Sequence, residues 1–327
     1  MGVNLSDLVE KEEISLNFLA GKKIGVDSFN VLYQFLASIR GMDGLPLSDS
    51  HGNVTSHLAG LFYRTTPSEL KQKTLIKRKQ IRVDAMDKSI KALKEGAIGE
   101  AKKFGSRALK LTPEMISDAK ELLKYLGIPY VDAPSEGEAQ ASVMASKGQL
   151  FGVASQDFDC LLFGANNLFR YVGVTGKRKV AGKNFYVDVK PQRVVLENVL
   201  SELKISREKL IWLGILIGTD FNEKFPKIGP KTALKLVQEK NSFEEIIAQV
   251  GYEPEFDYNE VVELFLRPKS VEVSDREIEL KEVQRNKVID FLVGKHDFSK
   301  ERVSSTLDAF IRKKEEVEKQ KNLGQWF

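Results

Sequence analysis

The apolar positions of this chain alternate between short continuous runs and stretches of helical period. "KKIGVDSF" (22–29) reads as a short buried strand ending at Asp27, and "VLYQFLASIR" (31–40) follows with helical spacing. A loop containing Gly and Ser leads to about Asn53, and then "VTSHLAGLFYRT" (54–65) reads as an amphipathic helix. From Pro67 to about Lys110 the period is still helical, but the residues are so highly charged that a solvated arch fits better than a core element. "TPEMISDAKELLKYLG" (112–127) carries a full set of helix signals: Thr112 as N-cap, Pro113 in the first turn and Gly127 as the stop. "IPYVDAP" then predicts a strand, "SEGEAQASVMASKG" a helix and "QLFGVAS" a further strand. Such alternation predicts an α/β fold with a mostly parallel central sheet flanked by helices. "NLFRYVGV" (167–174) and "NFYVDV" (184–189) predict late strands joined by the basic turn "TGKRKVAGK". Beyond 190 the pattern is helical, through "REKLIWLGILIG" (207–218) and "PKTALKLVQEK" (230–240) to about Lys319, and the final "KQKNLGQWF" breaks the period. One irregularity interrupts the order. Helix 54–65 runs into "TPSEL" and a second helix, where an alternating chain should place a strand.

Composition adds the class. With 327 residues, 42% hydrophobic and 29% charged, the chain is a globular protein rather than a disordered one. A net charge of +4 points to no partner by itself, but "KQKTLIKRKQIR" (71–82) is all basic and uncharged residues, while acids gather elsewhere. That separation suits an anionic partner held by one face and worked on by another. The single cysteine, Cys160, excludes an intrachain disulfide, so an intracellular and reducing compartment is expected. "MGVNLSDLVE" contains no apolar run, and no signal peptide or membrane span is expected there. His51, His57 and His296 lack metal-ligand spacing, and His57 reads as structural. Neither a phosphate-binding G-x-x-x-x-G-K-[ST] loop nor a G-x-S-x-G elbow is present.

The chemistry lies in the acids. Residues 133–164, "APSEGEAQASVMASKGQLFGVASQDFDCLLFG", hold Glu136, Glu138, Asp157 and Asp159 with Lys147 as the sole basic residue. Asp27 ends an earlier strand, and Asp220 in "GILIGTDFN" follows an apolar helix that could dock beside them. In a doubly wound sheet the site lies at the carboxyl ends of the strands, so these acids should converge on one edge. Six carboxylates there would repel one another, and two divalent cations would remove most of that conflict. All-oxygen ligation suits Mg²⁺, with Mn²⁺ able to substitute. Two such ions ~4 Å apart can activate water and steady both oxygens of an in-line phosphoryl displacement.

At these residues a resemblance becomes specific. "GVDSFNVLYQF", "HLAGLFYRT", "APSEGEAQA", "SQDFDCLLFG", "LIGTDFN" and "IGPKTA" occur in order over nearly the whole chain. Together they resemble the flap endonucleases, XPG-type structure-specific 5′ nucleases with a PIN-like fold, and the archaeal type in particular. The resemblance implies a metal-dependent endonuclease, with possible exonuclease activity, that cuts 5′ flaps from branched DNA in replication (Okazaki fragment processing) and repair. It makes Asp27, Glu136, Glu138, Asp157, Asp159 and Asp220 the metal ligands. Lys71 and Arg78 match residues of a gateway helix that stabilise charge developing on the scissile phosphate, and 71–110 matches the helical arch. Tyr33 matches an aromatic that stacks on a base, Arg40 and Arg64 match positions near the DNA junction, and Gly2 matches an N-terminal glycine beside the active site. The region 207–240 resembles a helix–turn–helix that grips duplex DNA through Gly229, Lys231 and Lys235 and often binds K⁺. Gln320, Leu323, Trp326 and Phe327 resemble a sliding-clamp-binding box. The implied organisation is one nuclease domain over 1–319 and a clamp-binding tail at 320–327, in an intracellular protein, cytoplasmic if archaeal.

The chain departs from this pattern at one place. The family carries a strand ending in a V-F-D-G-like motif, with another metal-site Asp, where "YRTTPSELK" passes directly here. Losing a central strand would expose its neighbours' edges and leave a hole in the sheet, so the native polypeptide is expected to contain it. A true deletion would instead favour a catalytically inactive DNA-binding adaptor of the sliding clamp. A metal-dependent phosphatase acting on small esters would leave the arch and the tail without a purpose.

Overall fold

The computed structural model describes residues 3–41, 43–65, 111–172, 176–179 and 186–324. In chain order these form β1 (Glu12–Glu13), β2 (Ile24–Val26), α1 (Ser28–Ser38), α2 (Ser56–Thr65) and α3 (Pro113–Tyr125). Next come α4 (Gly137–Ser146), β3 (Gly152–Ala154), α5 (Asp159–Leu162), β4 (Asn167–Arg170), β5 (Gly176–Lys179), β6 (Tyr186–Val189) and β7 (Gln192–Val195). The remainder is helical: α6 (Leu196–Leu203), α7 (Arg207–Ile217), α8 (Pro230–Glu239), α9 (Phe243–Val250), α10 (Tyr258–Leu266), α11 (Arg285–Ile289) and α12 (Lys300–Gly324). No described helix is long and apolar enough to cross a membrane. The residues divide into two compact units, the first being 1–28 with 131–273 and the second 29–130 with 274–327.

The first unit contains the sheet, ordered β1-β7-β4-β3-β2. β2, β3 and β4 are parallel, with Val26 opposite Ala154 and Ala154 opposite Phe169, whereas β7 and β1 add antiparallel pairs. The sheet is therefore mixed: "QRVV" and Glu12–Glu13 are strands that hydrophobic pattern alone does not reveal. Strand Ile24–Val26 stands at one end, and Val26 is 46% exposed. A continuous apolar core forms around β3, β4, α5 and the almost wholly buried α7, drawing in Val3 and Leu5 from the N-terminal stretch.

In the second unit α1, α2, α3, α11 and α12 share a separate core around Phe35, Phe62, Leu122 and Phe291. Thr112 accepts a hydrogen bond from the Met115 N–H, and Pro113 opens α3 as its sequence predicts. Ile128 N–H reaches Leu123 O at 2.9 Å and Gly127 N–H reaches Lys124 O at 3.2 Å, with Gly127 at φ +69°. This is a Schellman termination, and a Cβ at Gly127 would also lie 2.0 Å from Lys281 O, so glycine is required twice over. The expected strand at 128–134 does not form: Pro129 and Pro134 each lack a ladder donor, and the segment has no sheet partner among the described strands. At the other end α12 continues through Gly324, so "KQKNLG" prolongs the helix rather than breaking it.

His57, fully buried at the start of α2, has neither ring nitrogen hydrogen-bonded, and the same holds for buried His296. His296 stands 3.7 Å from both the Asp49 and the Asp118 carboxylates, beyond hydrogen-bond length. Distant in sequence, the two histidines lie close enough that the charge of one acts on the other.

Candidate metal centre

All the candidate metal ligands fall within the first unit, positioned by four different backbone devices. Asp27 follows the last residue of β2. Glu136 is the N-cap residue of α4 and Glu138 lies in its first turn, where the helix dipole favours negative charge. The glutamates thus sit at a helix start rather than a strand end. Gly137 packs on Asp27 closely enough that a Cβ there would lie 3.1 Å from Asp27 Oδ1, which brings the strand-end acid beside the helix start. A second close approach sets this distance: at Gly25 a Cβ would lie 2.9 Å from Ala141 Cβ. Asp157 occupies the turn after β3, and Asp159 begins α5. Asp220 lies just past Gly218, whose φ of +93° ends α7 and turns the chain. A Thr219–Asn222 side-chain hydrogen bond of 2.7 Å holds that turn.

Electrostatics shows that these acids sense one another. Burial pushes the Glu138 carboxyl up to about 8, the charges of Asp157, Asp27 and Asp159 add to the effect, and a hydrogen bond from Ser155 opposes it. Burial likewise pushes Asp159 up to about 6, with Asp220 and Asp157 adding, while its Oδ1 accepts the Val3 N–H at 2.7 Å. Five of the six acids are thereby linked, and Glu136 stands exposed at the rim. Neighbouring Cys160 is wholly buried, which pushes its thiol well up and leaves it a core residue.

As placed, no three His, Cys, Asp or Glu side chains among the described residues already close on a point that could hold a metal. The donor chemistry nevertheless fits a hard divalent cation. Every acid offers carboxylate oxygen, and Mg²⁺ would take one or two carboxylates directly and keep several waters, through which the remaining acids could act.

Other expected residues are placed as follows. Tyr33 on α1 is 43% exposed, and Arg64 on α2 is exposed with its guanidinium over the Phe35 ring. Arg40 donates to Ala37 O at 3.1 Å and Gly44 O at 2.9 Å, so it also braces its own loop. Gly229 caps α8 at φ −103° with open space where a Cβ would be, and Lys231 and Lys235 are exposed on that helix. Gln320 and Leu323 fall within α12. Gly2, Lys71, Arg78, Trp326 and Phe327, like the whole of the arch 71–110, lie outside the described residues. Sequence reasoning missed Ser155 and Val3, which hold two of the acids. A serine two residues before an aspartate is a turn signal that could have pointed to Ser155.

Comparison with known proteins agrees with this geometry. The XPG I-region family matches residues 127–220, the stretch from the α3 terminus to Asp220. Flap endonuclease 1 of Pyrococcus abyssi is 45% identical over 344 aligned positions, covering 100% of this chain and 98% of that protein. Flap endonuclease 1 of Nitrosopumilus maritimus is 42% identical and is covered, like this chain, over its full length. Among solved structures, flap endonuclease-1 from Methanococcus jannaschii superposes with a TM-score of 0.71 at 33% identity, covering 95% of this chain and 98% of that one. The catalytic core of Rad2 in complex with DNA substrate shares the fold, with a TM-score of 0.62 at 19% identity. The 344 aligned positions against 327 residues leave at least 17 positions of the Pyrococcus relative without a counterpart. On sequence, fold and the acids at the sheet edge together, the chain belongs to the flap endonuclease family, metal-dependent structure-specific nucleases of the XPG type.

Proposed function

We propose that Asp27, Glu136, Glu138, Asp157, Asp159 and Asp220 hold two Mg²⁺ ions, replaceable by Mn²⁺, and that this centre hydrolyses phosphodiesters at 5′ flaps of branched DNA. The observation that carries the assignment is the environment of Glu138: burial and three neighbouring acids raise it, and the opposing contact is only a neutral hydroxyl. Such a cluster calls for cationic partners from outside the chain. Bound there, divalent ions supply Lewis acidity and a water of lowered pKa. The protein's own groups do the rest. The carboxylates orient the ions, and Lys71 and Arg78 stabilise negative charge developing on the scissile phosphate. Tyr33 stacks on a base without regard to sequence, and Arg40, Arg64 and Gly2 contact the substrate near the junction. Gly229, Lys231 and Lys235 hold duplex phosphates, with a K⁺ ion at the same turn, and position the DNA without reading it. Branched DNA as substrate draws support from the fold neighbours, Rad2 with DNA substrate and GEN1 with Holliday junction DNA. The cellular setting that follows is flap removal in replication and repair, with a 5′ exonuclease activity at the same centre.

The test is Asp157→Ala. It is expected to abolish Mg²⁺-dependent cutting of a 5′-flap duplex while leaving flap binding in place. Turnover at the wild-type rate would remove Asp157 from the centre. The tail Gln320–Phe327 is proposed to dock on the sliding clamp, with Leu323, Trp326 and Phe327 as apolar anchors. Deleting it should abolish clamp binding measured by calorimetry, and undiminished binding would exclude the tail as the docking element.

A further inference from the structure

Ser155 ends the β3 run and is buried, with 7% of its surface exposed. Its backbone N–H donates to Phe169 O at 3.1 Å, so the residue is locked to the β3–β4 ladder rather than to a loose loop. Its hydroxyl makes two contacts. It donates to Glu138 Oε1, and it accepts the Asp157 N–H at 3.1 Å. The second contact is a local serine turn that sets the direction in which the chain leaves the strand. The first spans 17 residues, joining the strand end to the first turn of α4. One hydroxyl therefore ties together the two acid motifs that come from different elements. Glu138 is held from its own helix as well, because Ser142 Oγ donates to its carbonyl at 2.7 Å. Asp159 is held in a similar way, with its Oδ1 accepting the buried Val3 N–H.

We infer that Ser155 is a positioning residue of the metal centre: its hydroxyl engages Glu138 Oε1 and the Asp157 amide at once, and so holds the Glu138 and Asp157 carboxylates in fixed register for a divalent cation. The inference rests on the carboxylate assignment proposed above. The physical basis is the one by which outer hydrogen-bond partners orient metal-ligating side chains, where their loss commonly costs about 10–100-fold in metal affinity or activity. A hydroxyl serves here because it can donate to the carboxylate and accept from the amide simultaneously, which neither alanine nor a second carboxylate could do.

The experiment is Mn²⁺ titration of the metal-free full-length protein by calorimetry, without DNA or turnover, on wild type, Ser155→Ala, Ser155→Thr and Asp157→Ala. Ser155→Ala is expected to weaken Mn²⁺ binding about 10–100-fold. Ser155→Thr, which keeps the hydroxyl, should restore binding to near the wild-type value, and this rescue separates positioning from a general packing role. Wild-type affinity in Ser155→Ala would overturn the inference, as would equal weakening in the alanine and threonine variants. If Asp157→Ala leaves Mn²⁺ binding intact, the carboxylate centre itself is misassigned and the role of Ser155 falls with it. Loss in both Asp157→Ala and Ser155→Ala, with rescue by threonine, supports both.

Discussion

Glu138, half-buried, and His57, fully buried, leave their ordinary ranges in opposite directions, and their contributions to stability oppose each other where the two ranges overlap. Glu138 is pushed up to about 8, so between about 4.5 and 8 the unfolded chain releases a proton that the folded metal-free protein retains. Stability of the metal-free protein therefore falls as pH rises through that interval, by on the order of a few kcal/mol. Burial holds His57 down at about 4, partly countered by Asp118, so below about 6.5 the unfolded chain takes up a proton that the folded one refuses. Between about 4.5 and 6.5 this contribution runs against that of Glu138, and Asp159, pushed up to about 6, adds to the Glu138 side. The expected result in EDTA is a Tm that falls as pH rises from about 6.5 to 8, an alkaline limb that Mg²⁺ flattens. An alkaline limb unaffected by Mg²⁺ would contradict cation binding at Glu138. His57 was legible only as a structural histidine. Its neighbour His296 lies on a distant segment, and no spacing rule connects them.

Among the elements, the pairing of α4 with β2 matters most for the centre. Its helical identity was readable from small and apolar residues at helical spacing, and its N-terminal acids from the motif itself. The depth of its contact with the strand was not readable, because that depends on Gly25 facing Ala141 across the layer. Gly25→Ala would place a methyl 2.9 Å from Ala141 Cβ and Leu150 Cδ1. The leucine tip can move, but the alanine can yield only by shifting the helix. That overpacking should cost about 1–3 kcal/mol, read as a lower Tm. It should also lower Mn²⁺ affinity, because Asp27 rides on the strand and Glu138 on the helix. A stability loss with unchanged metal affinity would show that the approach of the two elements is not what aligns these acids. The segment 128–134 teaches the reverse lesson. Its apolar residues read as a strand, yet two prolines withhold ladder donors and no partner strand among the described residues comes beside it.

For the molecule as a whole, the question is the edge beyond β2. The alternation of elements calls for a strand after α2, the described sheet ends at β2, and Val26 there is 46% exposed. The shortfall of aligned positions against the Pyrococcus relative is of the size of a strand with its loops. We expect the intact mass of the native polypeptide to exceed 36.8 kDa by such a segment. A measured mass of 36.8 kDa would mean that the polypeptide lacks such a segment, and the inactive-adaptor reading would gain at the expense of catalysis.

The sequence by itself determined the α/β class, the helix boundaries marked by Thr112, Pro113 and Gly127, and the identity of the acids, because caps, breakers and carboxylates are local chemistry carried by single residues. Only the tertiary structure decided that β7 and β1 close the sheet antiparallel, that Ser155 and the Val3 amide grip two of the acids, and that His57 lies near His296. Each of these is a meeting of residues far apart in the chain, set by the packing of whole elements, and local pattern has no term for it.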